Sequence, residues 1–270
     1  MEFPLKQKDL GQDRRIGYRD AGEGPVVLAL HGVGSSSASY VEHLGGLSDR
    51  FRVIAWDAPG YGGSDDPASE SPQPRDYAAN AVALLDALGI EQACLLGHSM
   101  GGLIAAAAVA IAPDRFPRVV LSSCASGYNT RDEDERATRL QGRLGLLTEV
   151  GPQGLAEKRG PSNCAPMTPP AVVERVVEIM SRVRPEGYSA GAHLLDNGDV
   201  FRELRAWPKP PPPTLVMVGK YDKTTPPAGS RRIAHCIPGA RYIELGESAH
   251  AGYLEQPALF NRLVAEHFGG

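Results

Sequence analysis

The chain has 270 residues, 42% of them hydrophobic, enough for one large α/β domain with a substantial buried core. Its 28 Lys and Arg against 32 Asp and Glu leave a formal charge of -4, which gives no long-range attraction to nucleic acid or to an anionic membrane and sets both aside as partners. The four cysteines show no C-x-x-C spacing and the polar first residues carry no apolar targeting core, so reduced thiols and a cytoplasmic location are expected.

In chain order, the runs 5–10 and 15–20 alternate in a way that suits an antiparallel entry hairpin turning at Gly11. Short apolar runs at 26–30, 53–56, 94–96, 119–121 and 214–218 follow. They alternate with helical stretches at 77–88 and 100–111, the pattern of a mostly parallel, doubly wound sheet covered on both faces. Gly89 closes the first helix and Pro113 stops the second. The longest apolar run, 103–112, is far below the roughly 18 residues of a membrane span. From about 128 to 206 the strand rhythm stops: the segment is charged at 131–139, helical in period at 172–183, and has no β run. This predicts a helical cap over 128–206, inserted between two parts of one core, residues 1–127 and 207–270. The prolines at 210–213 read as a stiff lead-in to the strand at 214, with a ligand for a polyproline-binding domain as the alternative. A strand at 242–245 and a helix at 257–268 close the chain.

The strongest chemical signal is Gly97-His98-Ser99-Met100-Gly101, a G-x-S-x-G lying directly after an apolar run and directly before a helical one. A serine on such a turn is lifted into the open, and a Cβ on either flanking glycine would meet neighbouring backbone. The Met100 amide, at the start of the helix, is aimed to hold a developing oxyanion. The competing reading, a glycine-rich turn of a dinucleotide-binding domain, is weakened by this strand-turn-helix context. A second oxyanion donor is expected from His31-Gly32-Val33-Gly34 after the run 26–30, with the Val33 amide as the candidate. His31 and Gly32 are also marked as substrate contacts, although a loop-organising role for His31 competes.

With this turn the chain order is serine, acid, histidine, which leaves His235, His250 and His267 as bases. His235 falls in a helix. His267 ends the terminal helix, where a histidine favours the dipole. His250 lies on a loop after the strand at 242–245 and is the candidate base. Asp222, immediately after the strand at 214–218, is the candidate acid, placed to orient the imidazole. Ser122 to Ser126 offer no rival carboxylate, and Asp57 is read as tying down the turn 59–63. In the insertion, Arg139, Arg143, Lys158 and Arg159 are candidates for a substrate carboxylate, with Arg143 and Arg159 foremost, against the alternative of a solvated helix face. There is no nucleotide loop, zinc spacing or calcium loop, so no cofactor and no metal are expected.

His31-Gly32, Trp56-Asp57-Ala58-Pro59-Gly60-Tyr61-Gly62-Gly63-Ser64, the segment 97–102, Asp222 with Thr225-Pro226-Pro227, and His250 with Glu255-Gln256-Pro257 together resemble the α/β-hydrolase superfamily over nearly the whole chain outside the cap. The resemblance implies the α/β-hydrolase fold and an ester-type acyl-enzyme. The serine at 99 separates the chain from dehalogenases and epoxide hydrolases, which carry aspartate there. Arg184-Pro185-Glu186-Gly187-Tyr188, the stretch 194–204 and the ending 249–257 resemble 3-oxoadipate enol-lactonase and its relatives in aromatic catabolism. C-C bond hydrolases of ring meta-cleavage products usually show a glycine-proline motif after the first His-Gly and a tryptophan after the catalytic histidine. Here those positions read Val33-Gly34-Ser35 and Ala251. The expected partner is a small-molecule substrate, and a homodimer is compatible with the sequence. A cofactor-free perhydrolase, suggested by Met100, and a non-catalytic receptor on the same fold are the remaining alternatives.

Overall fold

The computed structural model describes residues 3–11 and 14–269. It opens with β1 (Lys6–Asp9) and β2 (Arg15–Ala21), the antiparallel pair expected ahead of the first motif. Gly11 sits at φ +78° at the turn, whose residues 12 and 13 lie outside the described ones. β2 pairs antiparallel with β4 (Arg52–Trp56). All further pairing is parallel, through β3 (Val26–Leu30), β5 (Cys94–His98), β6 (Val119–Ser122), β7 (Thr214–Gly219) and β8 (Arg241–Leu245), in the order β1-β2-β4-β3-β5-β6-β7-β8. The outer strand β1, Lys-Gln-Lys-Asp, is short and charged, which discourages pairing with another chain along that edge.

Alternate residues of the central strands enter opposite cores. Leu28, Leu30, Leu95 and Leu121 pack beneath α2 (Pro74–Ala87) and α3 (Met100–Ile111), while Val27, Ala29, Leu96 and Val120 pack beneath α1 (Val41–Leu47) and α10 (Pro257–Gly269). The alanine-rich α3 is buried on nearly all sides and ends before Pro113, as expected. Gln73 and Asp76 form a capping box on α2, with Pro74 at its first position.

Between β6 and β7 the chain forms α4 (Glu133–Arg159), α5 (Pro170–Ser181), α6 (Pro185–Asn197) and α7 (Val200–Arg205). Asp132 caps α4, and Gly151 at φ +66° with Pro152 behind it bends α4 into two segments. Arg136 holds α4 to α6 by a two-pronged contact with Asp196, its Nη2 lying 2.7 Å from Oδ2. These helices are also tied to the rest of the molecule. Arg184 Nη1 donates to the Ser64 carbonyl at 2.8 Å, Asn197 Nδ2 to the Pro72 carbonyl at 3.0 Å, and Arg75 Nε to Glu203 Oε2 at 2.9 Å. A Cβ on Gly187 would lie 2.1 Å from the Gly60 carbonyl, so the start of α6 touches the 58–64 loop backbone to backbone.

The remaining elements are α8 (Pro227–His235), which carries His235 as expected, and α9 (Gly252–Glu255). His267 stands in the last turn of α10, as expected. It is buried, and its Nε2 faces the carbonyl oxygens of Val119 at 3.1 Å and Pro213 at 3.2 Å, so it also pins α10 to the sheet. All four cysteines are free. Among the described residues no helix is long and apolar enough to cross a membrane.

Candidate active site

The strand order reverses between β3 and β5, the position at which open parallel sheets leave a crevice beyond their carboxyl ends. Register aligns those ends: Leu30 pairs with Gly97, His98 with Ser122, and Gly219 with Leu245. The loops carrying Gly32 and Val33, Ser99, Asp222 and His250 therefore leave the sheet side by side.

Ser99 occupies φ +53°, ψ -116° between β5 and α3, a strained conformation for a residue with a Cβ. Its glycine neighbours are required. A Cβ on Gly97 would lie 2.4 Å from the Gly101 carbonyl oxygen, and one on Gly101 2.0 Å from that of Leu30. At Gly32 the fit is tight, since a Cβ there would stand 3.1 Å from that of Ser99. The amides of Val33 and Met100 have no acceptor among the described residues.

His250 Nδ1 lies 2.9 Å from Asp222 Oδ2, which leaves Nε2 as the acceptor. Asp222 Oδ1 accepts the amides of Thr224 at 2.9 Å and Thr225 at 2.8 Å, and Thr225 Oγ1 lies 2.8 Å from Oδ2. Burial works to raise this carboxyl, but His250 and the Thr225 donors outweigh it and hold it down at about 2. His98 packs 4.9 Å from the His250 ring. Burial, and then charge on His250, push His98 well below the ordinary histidine range and keep it neutral.

Ser99, His250, Gly32 and Val33 line one cavity of about 220 Å³. Arg143 and Arg159 line it from the two segments of α4, and neither meets a carboxylate among the described residues. Arg143 donates to the Tyr128 hydroxyl at 3.1 Å; burial works to lower this guanidinium and the Tyr128 and Tyr188 hydroxyls more than offset it. The other two basic candidates turn elsewhere, Arg139 to Glu135 at 2.9 Å and Lys158 to Glu149 at 4.0 Å. The assignment of His31 as a substrate contact is corrected. Its Nδ1 faces the Gly32 carbonyl at 2.8 Å and its Nε2 accepts the Ala58 amide at 3.0 Å, so the buried ring organises the loop. Asp57 accepts the amides of Ser37 at 2.7 Å and Gly63 at 2.9 Å, and so ties down the turn. Among the described residues no cluster of three or more His, Cys, Asp or Glu suits a metal ion.

Three contributors were not foreseen. Thr225 brackets Asp222, a role its position three residues after an aspartate could have suggested, since aspartates commonly bond amides just downstream. Glu255 stands close after His250, in the Glu255-Gln256-Pro257 motif, but nothing local shows what it binds; Asn163 comes from the turn after α4 and carries no local signal.

A family model described as the alpha/beta hydrolase fold matches residues 25–257. The chain is 27% identical to 3-oxoadipate enol-lactonase 2 of Acinetobacter baylyi, covering 97% of this chain and 96% of that one. It is 29% identical to 2-hydroxymuconate semialdehyde hydrolase of Pseudomonas putida, covering 98% and 96%. The structure superimposes on the enol-lactonase of Burkholderia xenovorans with a TM-score of 0.86 at 25% identity, covering 99% and 100%. The resemblance read from the motifs is thus borne out.

Proposed function

Because this chain belongs to the α/β-hydrolase fold family, we propose that it is a cofactor-independent serine hydrolase cleaving a small ester or lactone through an acyl-enzyme on Ser99, with an enol-lactone of aromatic catabolism as the leading substrate type. The observation that carries this reading is the meeting at one cavity of a strained serine, Val33 and His250, with Asp222 bonded to the histidine from behind and the unengaged Met100 amide next to the serine. In this reading residues 128–206 are a cap over a core formed by 1–127 and 207–270.

His250 Nε2 takes the Ser99 proton as Oγ attacks the carbonyl, and Asp222 stabilises the imidazolium that forms. The Val33 and Met100 amides hold the oxyanion. His250 returns the proton to the departing oxygen, then activates the water that frees the acid from Ser99. Arg143, and Arg159 across the cavity, supply charge-assisted donors for a carboxylate on the substrate. A second reading, cleavage of a C-C bond in a ring meta-cleavage product, draws on the likeness to the semialdehyde hydrolase. The same groups serve there once the leaving carbon is stabilised as the enolate of a ketone.

The test combines a fluorophosphonate with three substrates: a carboxylate-bearing enol-lactone, its methyl ester, and a ring-cleavage semialdehyde. The expected result is labelling confined to Ser99 and a kcat/KM highest on the free-acid lactone. Absence of Ser99 labelling would discard the acyl-enzyme. Preference for the semialdehyde would select the second reading.

A further inference from the structure

Glu255 is the last residue of α9, which begins two residues after His250. One of its oxygens, Oε2, accepts the amide of Ala249 at 2.7 Å, just before the histidine. The other, Oε1, accepts the Ala165 amide at 2.7 Å and the Thr168 hydroxyl at 2.5 Å, both in the turn that joins α4 to α5. On the far side of the histidine, the Ala251 amide donates to the Asn163 carbonyl at 2.8 Å. Asn163 Oδ1 in turn accepts the Thr224 hydroxyl at 3.1 Å, and the Thr224 amide is held by Asp222. The backbone on both sides of His250 is therefore bonded to, or through one carboxylate to, the helical segment between β6 and β7. That same segment lines the cavity with Arg159, Asn163, Val176 and Met180.

We propose that Glu255 is a positioning residue that locks the His250 loop to the 163–168 turn, so that the alignment of the base depends on the seating of the cap. This rests on the reading of Ser99, Asp222 and His250 as the catalytic set. The geometry suits a carboxylate specifically. Both oxygens accept, and three donors converge on them; a glutamine would turn an N-H against one donor, and an aspartate is a methylene too short to span both sides. A loop held only by its own turn would fix the histidine backbone less tightly, and misplacement of a base by about 1 Å costs on the order of a hundredfold in rate.

The experiment compares wild type with Glu255→Gln, Thr168→Val, Thr168→Ser and His250→Ala on p-nitrophenyl acetate, a neutral ester too small to need the cap. Turnover is expressed per active site titrated with a fluorophosphonate, and Tm is recorded for each protein. The expected result is a kcat lower by about ten- to hundredfold for Glu255→Gln, with KM within about threefold. Thr168→Val is expected to lower kcat by a few fold although it lies in the cap, and Thr168→Ser, which keeps the hydroxyl, to restore it. Wild-type kcat per titrated site in both Glu255→Gln and Thr168→Val, whatever their Tm, overturns the positioning role while leaving the triad reading intact if His250→Ala is inactive. Wild-type turnover in His250→Ala overturns both.

Discussion

Ser99 is the residue on which the proposed chemistry turns, and its replacement separates chemistry from folding. Ser99→Ala removes the nucleophile and the Cβ stays in place, so kcat on any accepted ester is expected to fall at least about a thousandfold with Tm unchanged. Activity near wild type per mole of purified protein would point to another nucleophile. Asp222→Asn is expected to lower kcat by up to about ten-thousandfold with little change in KM, because an amide facing Nδ1 can hold the imidazole in the wrong tautomer. Thr225→Val is a milder probe. It deletes one donor to Asp222 Oδ2, leaves the two amide donors to Oδ1, and should cost roughly tenfold in kcat. No change in kcat would mean that the hydroxyl serves the Ser123 carbonyl, 3.0 Å away, in preference to the carboxylate.

At the scale of elements, the bend in α4 deserves a direct test. Arg143 and Arg159 stand sixteen residues apart by number, and a straight helix would hold their Cα atoms about 24 Å apart, too far to serve one cavity of about 220 Å³. Gly151 makes the bend at φ +66°, where a Cβ is strained although the space around it is open. Gly151→Ala is expected to destabilise by about 1 kcal/mol and to raise KM for a free-acid lactone more than for its methyl ester. Equal KM changes on both substrates would detach the bend from carboxylate recognition. Arg143→Ala should lower kcat/KM on the free acid by roughly ten- to hundredfold and leave the methyl ester nearly unaffected. Elements also differ in how plainly the sequence shows them. The central strands β3 to β7 are short apolar runs because both of their faces are buried, and α3 is bounded by the serine turn and Pro113, so both read directly. The α1 helix, seven residues with two glycines, has too few turns to impose a period. In α4 the helical pattern is broken by the bend, and its many exposed charges hide which side faces the cavity. Ser99, Asp222 and His250 stand directly after strands, where local context marks them. Glu255 meets Ala165 and Thr168 across some ninety residues of chain, a contact only the fold creates.

For the whole molecule, acid stability follows from its buried titratable groups. His31, His43 and His98 are all lowered by burial, His43 to about 4, so the unfolded chain binds protons that the folded one refuses. Stability then rises with pH: it is full above the unfolded histidine value near 6.5 and falls below it by up to roughly 1.4 kcal/mol per pH unit for each group. Asp222, held at about 2, adds stability that is complete above about pH 4 and disappears as pH falls through 2. Urea midpoints should therefore drop steeply from pH 7 to pH 5, and a flat profile across that window would mean that these histidines accept protons without unfolding. The many ties that join the helices of 133–205 to the remaining chain carry a further consequence, for timing. Arg184 on the Ser64 carbonyl, Asn197 on the Pro72 carbonyl, Arg75 on Glu203 and the Gly60–Gly187 backbone contact hold α6 and α7, while Glu255 on the Ala165 amide and the Ala251 amide on the Asn163 carbonyl hold the turn between α4 and α5, so the layer is tied at both ends. A ligand would pass a fixed mouth whose side chains hop between rotamers in nanoseconds, and would not wait microseconds to milliseconds for a lid. Stopped-flow binding traces should then be single exponentials whose rate climbs linearly with ligand concentration, without the plateau that a slow opening step imposes.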